Sequence, residues 1–418
     1  MKFMSLSLRN TLGASVGTAL EFYDFTLYGV FAVTFSAIFF PEKEMATSFS
    51  LVIYALGSFL RPLGGLVFGY LSDITGRKKA LLVSVFIMAI ATFGMGCLPV
   101  YADFGIGAIL LLILLRAMQG FSAGGEFNNT TIYALESGKQ RPGLYSGIVV
   151  ASATFGTLIA MALSALILKI HHPDAWRIPF LLGGLIGFLG YYARNFLHES
   201  PAFEQGESQI WQNVIIIFQQ YKSPLIKTIF LGGFASALGL TIFNYINIYL
   251  NNIIGFHASE SAFLSIVGIA GFILLTPLFG FLADIVTPRK ILCASAIMTC
   301  CSAYFIYHLL SSGYILNIIV GQLFLTILSS SFSGSIHLYL IQLFPSKLRC
   351  LAVSFGFTLG IAIFGGTTPL ISNLLIKYTG NILSPSFYLI LMATCVITIL
   401  YSKRMSFRLG AHPSASFV

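Results

Sequence analysis

Charge is scarce in this chain: Asp, Glu, Lys and Arg together make up 9% of its 418 residues. A water-soluble domain carries roughly a quarter charged residues. The chain therefore cannot clothe a water-facing surface, and its main solvent has to be lipid. Cysteine is scarce too. Cys97, Cys293, Cys300, Cys301, Cys350 and Cys395 form no C-x-x-C pair, and most sit in apolar runs, where cysteine behaves as a small hydrophobe. The seven histidines include no H-E-x-x-H pair, and no P-loop is present. Neither metal-assisted hydrolysis nor ATP-driven pumping has support, and no nucleophile–base pair argues for an enzyme. Acid is scarcer than base, which gives a net charge of +9. That excess is confined to short segments between apolar runs, so it does not read as a nucleic-acid surface.

What fills the chain is apolar sequence, 57% of all residues. It falls into twelve runs of about the length a bilayer requires. In the first half these are 11–39, 48–72, 79–99, 104–135, 142–169 and 176–197; in the second they are 224–252, 259–284, 290–310, 314–342, 349–378 and 384–404. The fold predicted is an all-α membrane protein with twelve transmembrane helices in two pseudo-symmetric six-helix bundles. The N-terminal bundle is 1–197, the connector 198–223 and the C-terminal bundle 224–418 with a short tail. In the connector, Trp211–Phe218 reads as an interfacial helix or as part of a solvated linker.

Two charged hairpins organise the chain. Gly69-x-x-x-Asp73-x-x-Gly76-Arg77-Lys78-Lys79 joins runs two and three, and Gly280-x-x-x-Asp284-x-x-x-x-Arg289-Lys290 repeats the design half a chain later. Most Lys and Arg, including Lys2, Arg9, Lys139, Arg141, Arg194, Lys222, Lys227, Lys347, Arg349, Lys403, Arg404 and Arg408, fall with these hairpins on one side; Lys43, Lys169, Arg177 and Lys377 fall on the other. The positive-inside rule then places both termini in the cytoplasm. Arg141 and Arg349, each opening the fifth run of its half, are a second internal echo.

Polar groups at membrane depth are the strongest functional pointers. Glu21, Asp24, Arg61, Arg116 and Glu126 all lie inside first-half runs. Glu21 and Asp24 share a helix face, and Asp24 falls roughly 20 Å into the first run, near mid-bilayer. The acids and arginines are expected to pair, because an unpaired charge there costs several kcal/mol. Such pairs serve either as structural ties or as a proton switch. In the second half the expected lining is uncharged: Asn244, Tyr245, Asn247 and Tyr249 in run seven, and Gln322, Ser329-Ser330-Ser331, Ser333 and Ser335 in run ten. His337 is expected near the cytoplasmic end, facing a loop.

These residues resemble the major facilitator superfamily, and within it the metabolite/proton symporter family. The resemblance rests on the first hairpin, Glu21-Phe22-Tyr23-Asp24-Phe25, Arg61-Pro62-Leu63-Gly64-Gly65, Arg116-Ala117-Met118-Gln119-Gly120 through Glu126, Trp176–Phe180, Glu199–Phe203 and Phe364–Pro369. Two positions depart from it. Thr287-Pro288 replaces the glycine of the second hairpin, and Gln342 stands where an acid is usual. The resemblance implies a monomeric transporter of the bacterial cytoplasmic membrane that carries a small carboxylate or zwitterionic solute, without cofactor, coupled to a proton or alternatively sodium. Proton coupling would fall to Asp24, Glu21 and Glu126. Substrate contacts would fall to Arg61, Arg116, Gln119, Tyr23, Asn244, Asn247 and Gln322, and gating to Gly69, Asp73, Gly76, Arg77, Asp284 and Arg289. A proton-independent exchanger and a non-transporting sensor are the alternatives.

Overall fold

The computed structural model describes residues 6–40, 43–138, 140–170, 172–204 and 209–402, and these are helical with short connections. Lys2, Lys139, Lys403, Arg404 and Arg408 lie outside the described residues. The first half comprises α1 (Leu6–Phe39), α2 (Lys43–Thr75), α3 (Arg77–Gly96), α4 (Ile106–Ser137), α5 (Pro142–Ile167) and α6 (Arg177–Arg194). A connector helix, α7 (Ile210–Gln220), follows. The second half comprises α8 (Lys222–Ile254), α9 (Ala258–Ile285), α10 (Pro288–Leu310), α11 (Ile315–Leu340), α12 (Arg349–Thr379) and α13 (Pro385–Tyr401). Ten of these, among the described residues, are long and apolar enough to cross a membrane; α6 and α13 occupy the other two positions predicted as spans.

Helices form here because lipid offers backbone amides no alternative partner, so each segment must satisfy its own. Proline is tolerated inside α2 at Pro62 and inside α9 at Pro277, since neighbouring helices shield the interruption. Small residues then set the spacing between helices. A methyl group on Gly120 of α4 would strike the Gly57 carbonyl of α2, so these two backbones touch directly. Two helices depart from regular α geometry. π-Helical turns occupy Thr241–Tyr245 and Tyr249–Ile254 in α8, and Ile361–Gly365 in α12. Nothing in the residue pattern announces them.

The two halves meet through α2 against α12 and α5 against α9, a reciprocal arrangement that follows the internal repeat. The side-chain hydrogen bonds that cross between them lie toward the end bearing the charged hairpins. At the opposite end the first half is tied by an aromatic cluster of Phe31, Phe35, Phe39, Trp176 and Phe180.

Candidate functional site

Asp73, at the end of α2, accepts hydrogen bonds from the backbone N–H groups of Cys350 (3.2 Å) and Leu351 (2.9 Å), in the first turn of α12. Asp284, at the end of α9, accepts from Gly143 (2.6 Å) and Leu144 (3.0 Å), in the first turn of α5. Each half thus lends an acid to a helix N-terminus of the other, where free N–H groups and the helix dipole favour negative charge. Glycine permits both contacts. A methyl on Gly69 would lie 2.7 Å from the Cys350 carbonyl oxygen, and Gly143 and Gly280 abut backbone to backbone. A third acid, from the connector, acts on the first half. Glu199 accepts from the backbone of Arg77 (2.8 Å) and Lys78 (3.2 Å), at the start of α3. Gly76, at φ +103°, makes the turn that leads there, a conformation glycine adopts without strain.

Arg77 ties the first cap together. Its guanidinium meets Asp73 (3.2 Å) and Glu136 (3.1 Å), donates to the Ser72 carbonyl (3.0 Å), and reaches across to the Ser346 carbonyl of the second half (3.0 Å). Glu136 also receives Arg349 (2.8 Å) from the second half. Arg289, expected to play the matching part beside Asp284, does not. It is exposed and donates to the Leu400 carbonyl. One position further along its hairpin than Arg77, it points along its own bundle.

Deeper in the first half the acids and arginines sort themselves only partly as expected. Arg61 pairs with Glu21 at 3.4 Å and lies over the Phe25 ring, 4.3 Å from its centroid. Arg116 and Asp24 do not form an ion pair. Arg116 is enclosed by the rings of Phe25 (4.3 Å), Tyr28 (4.7 Å) and Tyr54 (5.0 Å) and donates to Gln119 Oε1 (3.2 Å). Asp24 instead accepts from Thr92 of α3 at 2.5 Å. Glu126, a predicted proton carrier, binds the Arg194 guanidinium and the Ser84 hydroxyl. Arg194 reads from the sequence as a loop cation. It is fully buried, and it also donates to the Leu81 carbonyl (2.9 Å) and the Ala14 carbonyl (2.5 Å). Its position close to the end of an apolar run hides it as a loop charge. Tyr23, a predicted substrate contact, donates to the Pro179 carbonyl (2.8 Å) inside the bundle.

In the second half, Asn244 is exposed within the first π turn of α8, and Asn247 is half-buried just after it. Tyr249 donates to the Ile382 carbonyl (3.0 Å). Gln322 is fully buried against Gly268, with neither amide atom hydrogen-bonded. His337 is not loop-facing: it is 1% exposed, with Nε2 3.3 Å from Asn128 Oδ1 of α4, between the Phe127 and Phe357 rings. Lys227 is buried as well, so this half is not wholly free of buried charge. Outside the spans, Arg177 bonds Asp174 at 2.8 Å and holds its carboxyl below the usual carboxylate range.

Two like-built helical halves, closed at one end by reciprocal acid caps and lined at depth by buried charge, define a multi-pass membrane transporter rather than an enzyme. The chain belongs to the major facilitator superfamily. The superfamily's own pattern matches residues 229–414, and that of "Sugar (and other) transporter" matches residues 10–212. A Staphylococcus aureus (strain MSSA476) protein named "Putative proline/betaine transporter" is 31% identical, over 97% of this chain and 91% of its own length. The Escherichia coli (strain K12) "Proline/betaine transporter" is 29% identical, over 96% of this chain and 85% of its own. Among solved structures, the proton:xylose symporter XylE superposes with a TM-score of 0.73 at 16% identity, covering 95% of this chain and 94% of that one. The E. coli fucose:proton symporter FucP superposes with a TM-score of 0.70 at 14% identity, covering 96% and 98%. At these identities the two structures bear on the fold alone. The chain is a secondary transporter.

Proposed function

We propose that this transporter is a proton-coupled symporter for a small zwitterionic or carboxylate metabolite, working by alternating access in the bacterial cytoplasmic membrane. On this reading it is a twelve-span monomer, with α6 and α13 completing the count and both termini in the cytoplasm. Its only small partners are substrate and coupling ion.

The observation that carries the reading is a mismatch at mid-membrane depth. Among the described residues, Arg116 is a buried cation with no carboxylate in contact, and Asp24 is a buried carboxylate with no cation in contact. A guanidinium so placed suits a substrate carboxylate, which it can grip by charge-assisted hydrogen bonds. The Phe25, Tyr28 and Tyr54 rings beside it suit an onium group. That combination favours a zwitterion, in keeping with the proline/betaine names of the relatives. Asp24, with one oxygen free of partners, has room for a proton. The reciprocal caps at Asp73 and Asp284 would hold the cytoplasmic face shut, and rocking of the halves would break both.

Reconstituted protein tests this. Proteoliposomes are offered labelled proline, betaine and a dicarboxylate, with and without an inward acid gradient. One of these should accumulate only with the gradient. Asp24→Asn should abolish accumulation, and Arg116→Gln should raise KM by about tenfold or more, the worth of a lost charge-assisted contact. Gradient-independent equilibration would favour an exchanger, and binding without flux a sensor; either result removes the proposal.

A further inference from the structure

Between Arg116 and Asp24 lies an unbroken line of hydrogen bonds with a single direction. Arg116 Nη1 donates to Gln119 Oε1 (3.2 Å), Gln119 Nε2 donates to Thr92 Oγ1 (3.0 Å), and Thr92 Oγ1 donates to Asp24 Oδ2 (2.5 Å). All four side chains are buried, none more than 2% exposed. The direction follows from chemistry. A guanidinium only donates, so the Gln119 oxygen must face it and the Gln119 amide nitrogen must face Thr92. The threonine oxygen then accepts that N–H and commits its single proton to the carboxylate.

We infer that Gln119 and Thr92 form a polarised relay through which the engagement of Arg116 sets whether Asp24 carries a proton. The inference rests on the proton-coupled reading above and names the positioning residues that would make it work. With Arg116 on Gln119, every bond in the line points toward an ionised Asp24. A substrate carboxylate that draws Nη1 away leaves the Gln119 oxygen unpaired in an apolar setting. The amide then turns, Thr92 loses its fixed orientation, and the carboxylate loses the donor that stabilised its charge. A proton from water adds to Asp24 and neutralises it. Substrate binding and proton binding thereby favour each other, and the linkage runs equally in both directions. Other groups around Asp24 do not supply this link. Glu21 and Tyr23 share α1, and Arg61 and Tyr54 come from α2. Glu126 of α4 is taken by Arg194 of α6, and α6 faces Asp24 itself with Gly183.

The relay is tested without knowing the substrate. Purified protein in lipid nanodiscs is titrated by infrared spectroscopy at the protonated-carboxyl C=O band, with Asp24→Asn identifying the Asp24 component. Thr92→Val, which removes the hydroxyl at constant shape, should move the Asp24 midpoint upward by about one pH unit. Thr92→Ser, which keeps the hydroxyl, should restore it. Arg116→Gln should also move it upward. The double variant Thr92→Val with Arg116→Gln should move it clearly less than the sum of the two shifts, because either change breaks the same line. An unmoved midpoint in Thr92→Val, or shifts that simply add, would overturn the relay; additivity would mean Arg116 acts on Asp24 through space alone. Failure of gradient-driven uptake would remove the symport reading, whereas this titration judges the relay itself.

Discussion

Asp73 and Asp284 make the same contact, a carboxylate accepting two backbone N–H groups at the start of a helix in the opposite half. What surrounds the two caps differs. Asp73 is 1% exposed and embedded with Arg77, Glu136 and Arg349, a network that crosses between the halves. Asp284 is only partly buried. Arg141, the counterpart of Arg349, is exposed and lies over the Phe281 ring at 5.1 Å, and Arg289 has turned to Leu400. The first closure is therefore a buried charge network, and the second is little more than its cap. An ion pair at a wet surface contributes little, while a buried charge stripped of its partner costs several kcal/mol. The two sides of the closed end should resist opening unequally.

Cys350 offers a native probe of this difference. It is fully buried at the first junction, so a thiol reagent reaches it only when the halves part. With the other five cysteines replaced, its labelling rate reports opening from either side. Asp73→Asn should have the largest effect, raising that rate by roughly 10- to 100-fold. The variant exchanges an ionised acceptor for a neutral amide, worth about 1.5–3 kcal/mol. Uptake should slow while the thermal unfolding midpoint stays near that of the parent. Unchanged labelling would mean that the Asp73 cap does not hold the closed state.

Glu136→Gln should come next, at about fivefold, since it loosens Arg77 and Arg349 together. Arg349 is 18% exposed, so solvent already screens part of that bridge. Raising the salt concentration should speed labelling of the parent protein and have less effect on Glu136→Gln. An identical salt response in the two proteins would place the network's contribution elsewhere. Asp284→Asn should give about threefold, less than Asp73→Asn, because water reaches its carboxylate. Equal effects at the two acids would erase the asymmetry between the closures.

Much of this architecture is legible in the residues. The apolar runs end within a few positions of the helices, because in lipid the length and polarity of a segment leave little other choice. The first two runs depart most, their helices beginning earlier than the runs do, at Leu6 and Lys43. The hairpin acids are legible because charge between two apolar runs has few places to go. The partners of the buried charges are not legible. Thr92 is one small polar residue in an apolar run, with nothing to mark it as the group that meets Asp24. Arg194 reads as a loop cation because run boundaries do not report how far a side chain reaches back. His337 reads as a loop-facing residue for the same reason: depth along a run does not say that α4 covers it. Glu199 sits in a motif, yet its bond to the start of α3 depends on how the connector folds back.

Gln342 is the point at which sequence and closure meet, and it yields the smallest predicted change, opposite in sign. By the internal repeat, Glu136 at the end of α4 corresponds to the end of α11, where Gln342 is exposed. The Glu136 carboxylate gathers the hairpin cation of its own half and the cation that opens the fifth span of the other half. An acid at Gln342 would stand in the same relation to Arg289 and Arg141, both exposed and neither in a close ion pair among the described residues, Arg141 acting on Asp284 only at longer range. Gln342→Glu should therefore slow Cys350 labelling by about twofold, the modest worth of a solvent-exposed pair. Adding Arg141→Gln should return the rate to that of Arg141→Gln alone. If labelling slows equally with Arg141 absent, the added charge acts on the closed state in some other way, and the weakness of the second closure does not come from the missing acid.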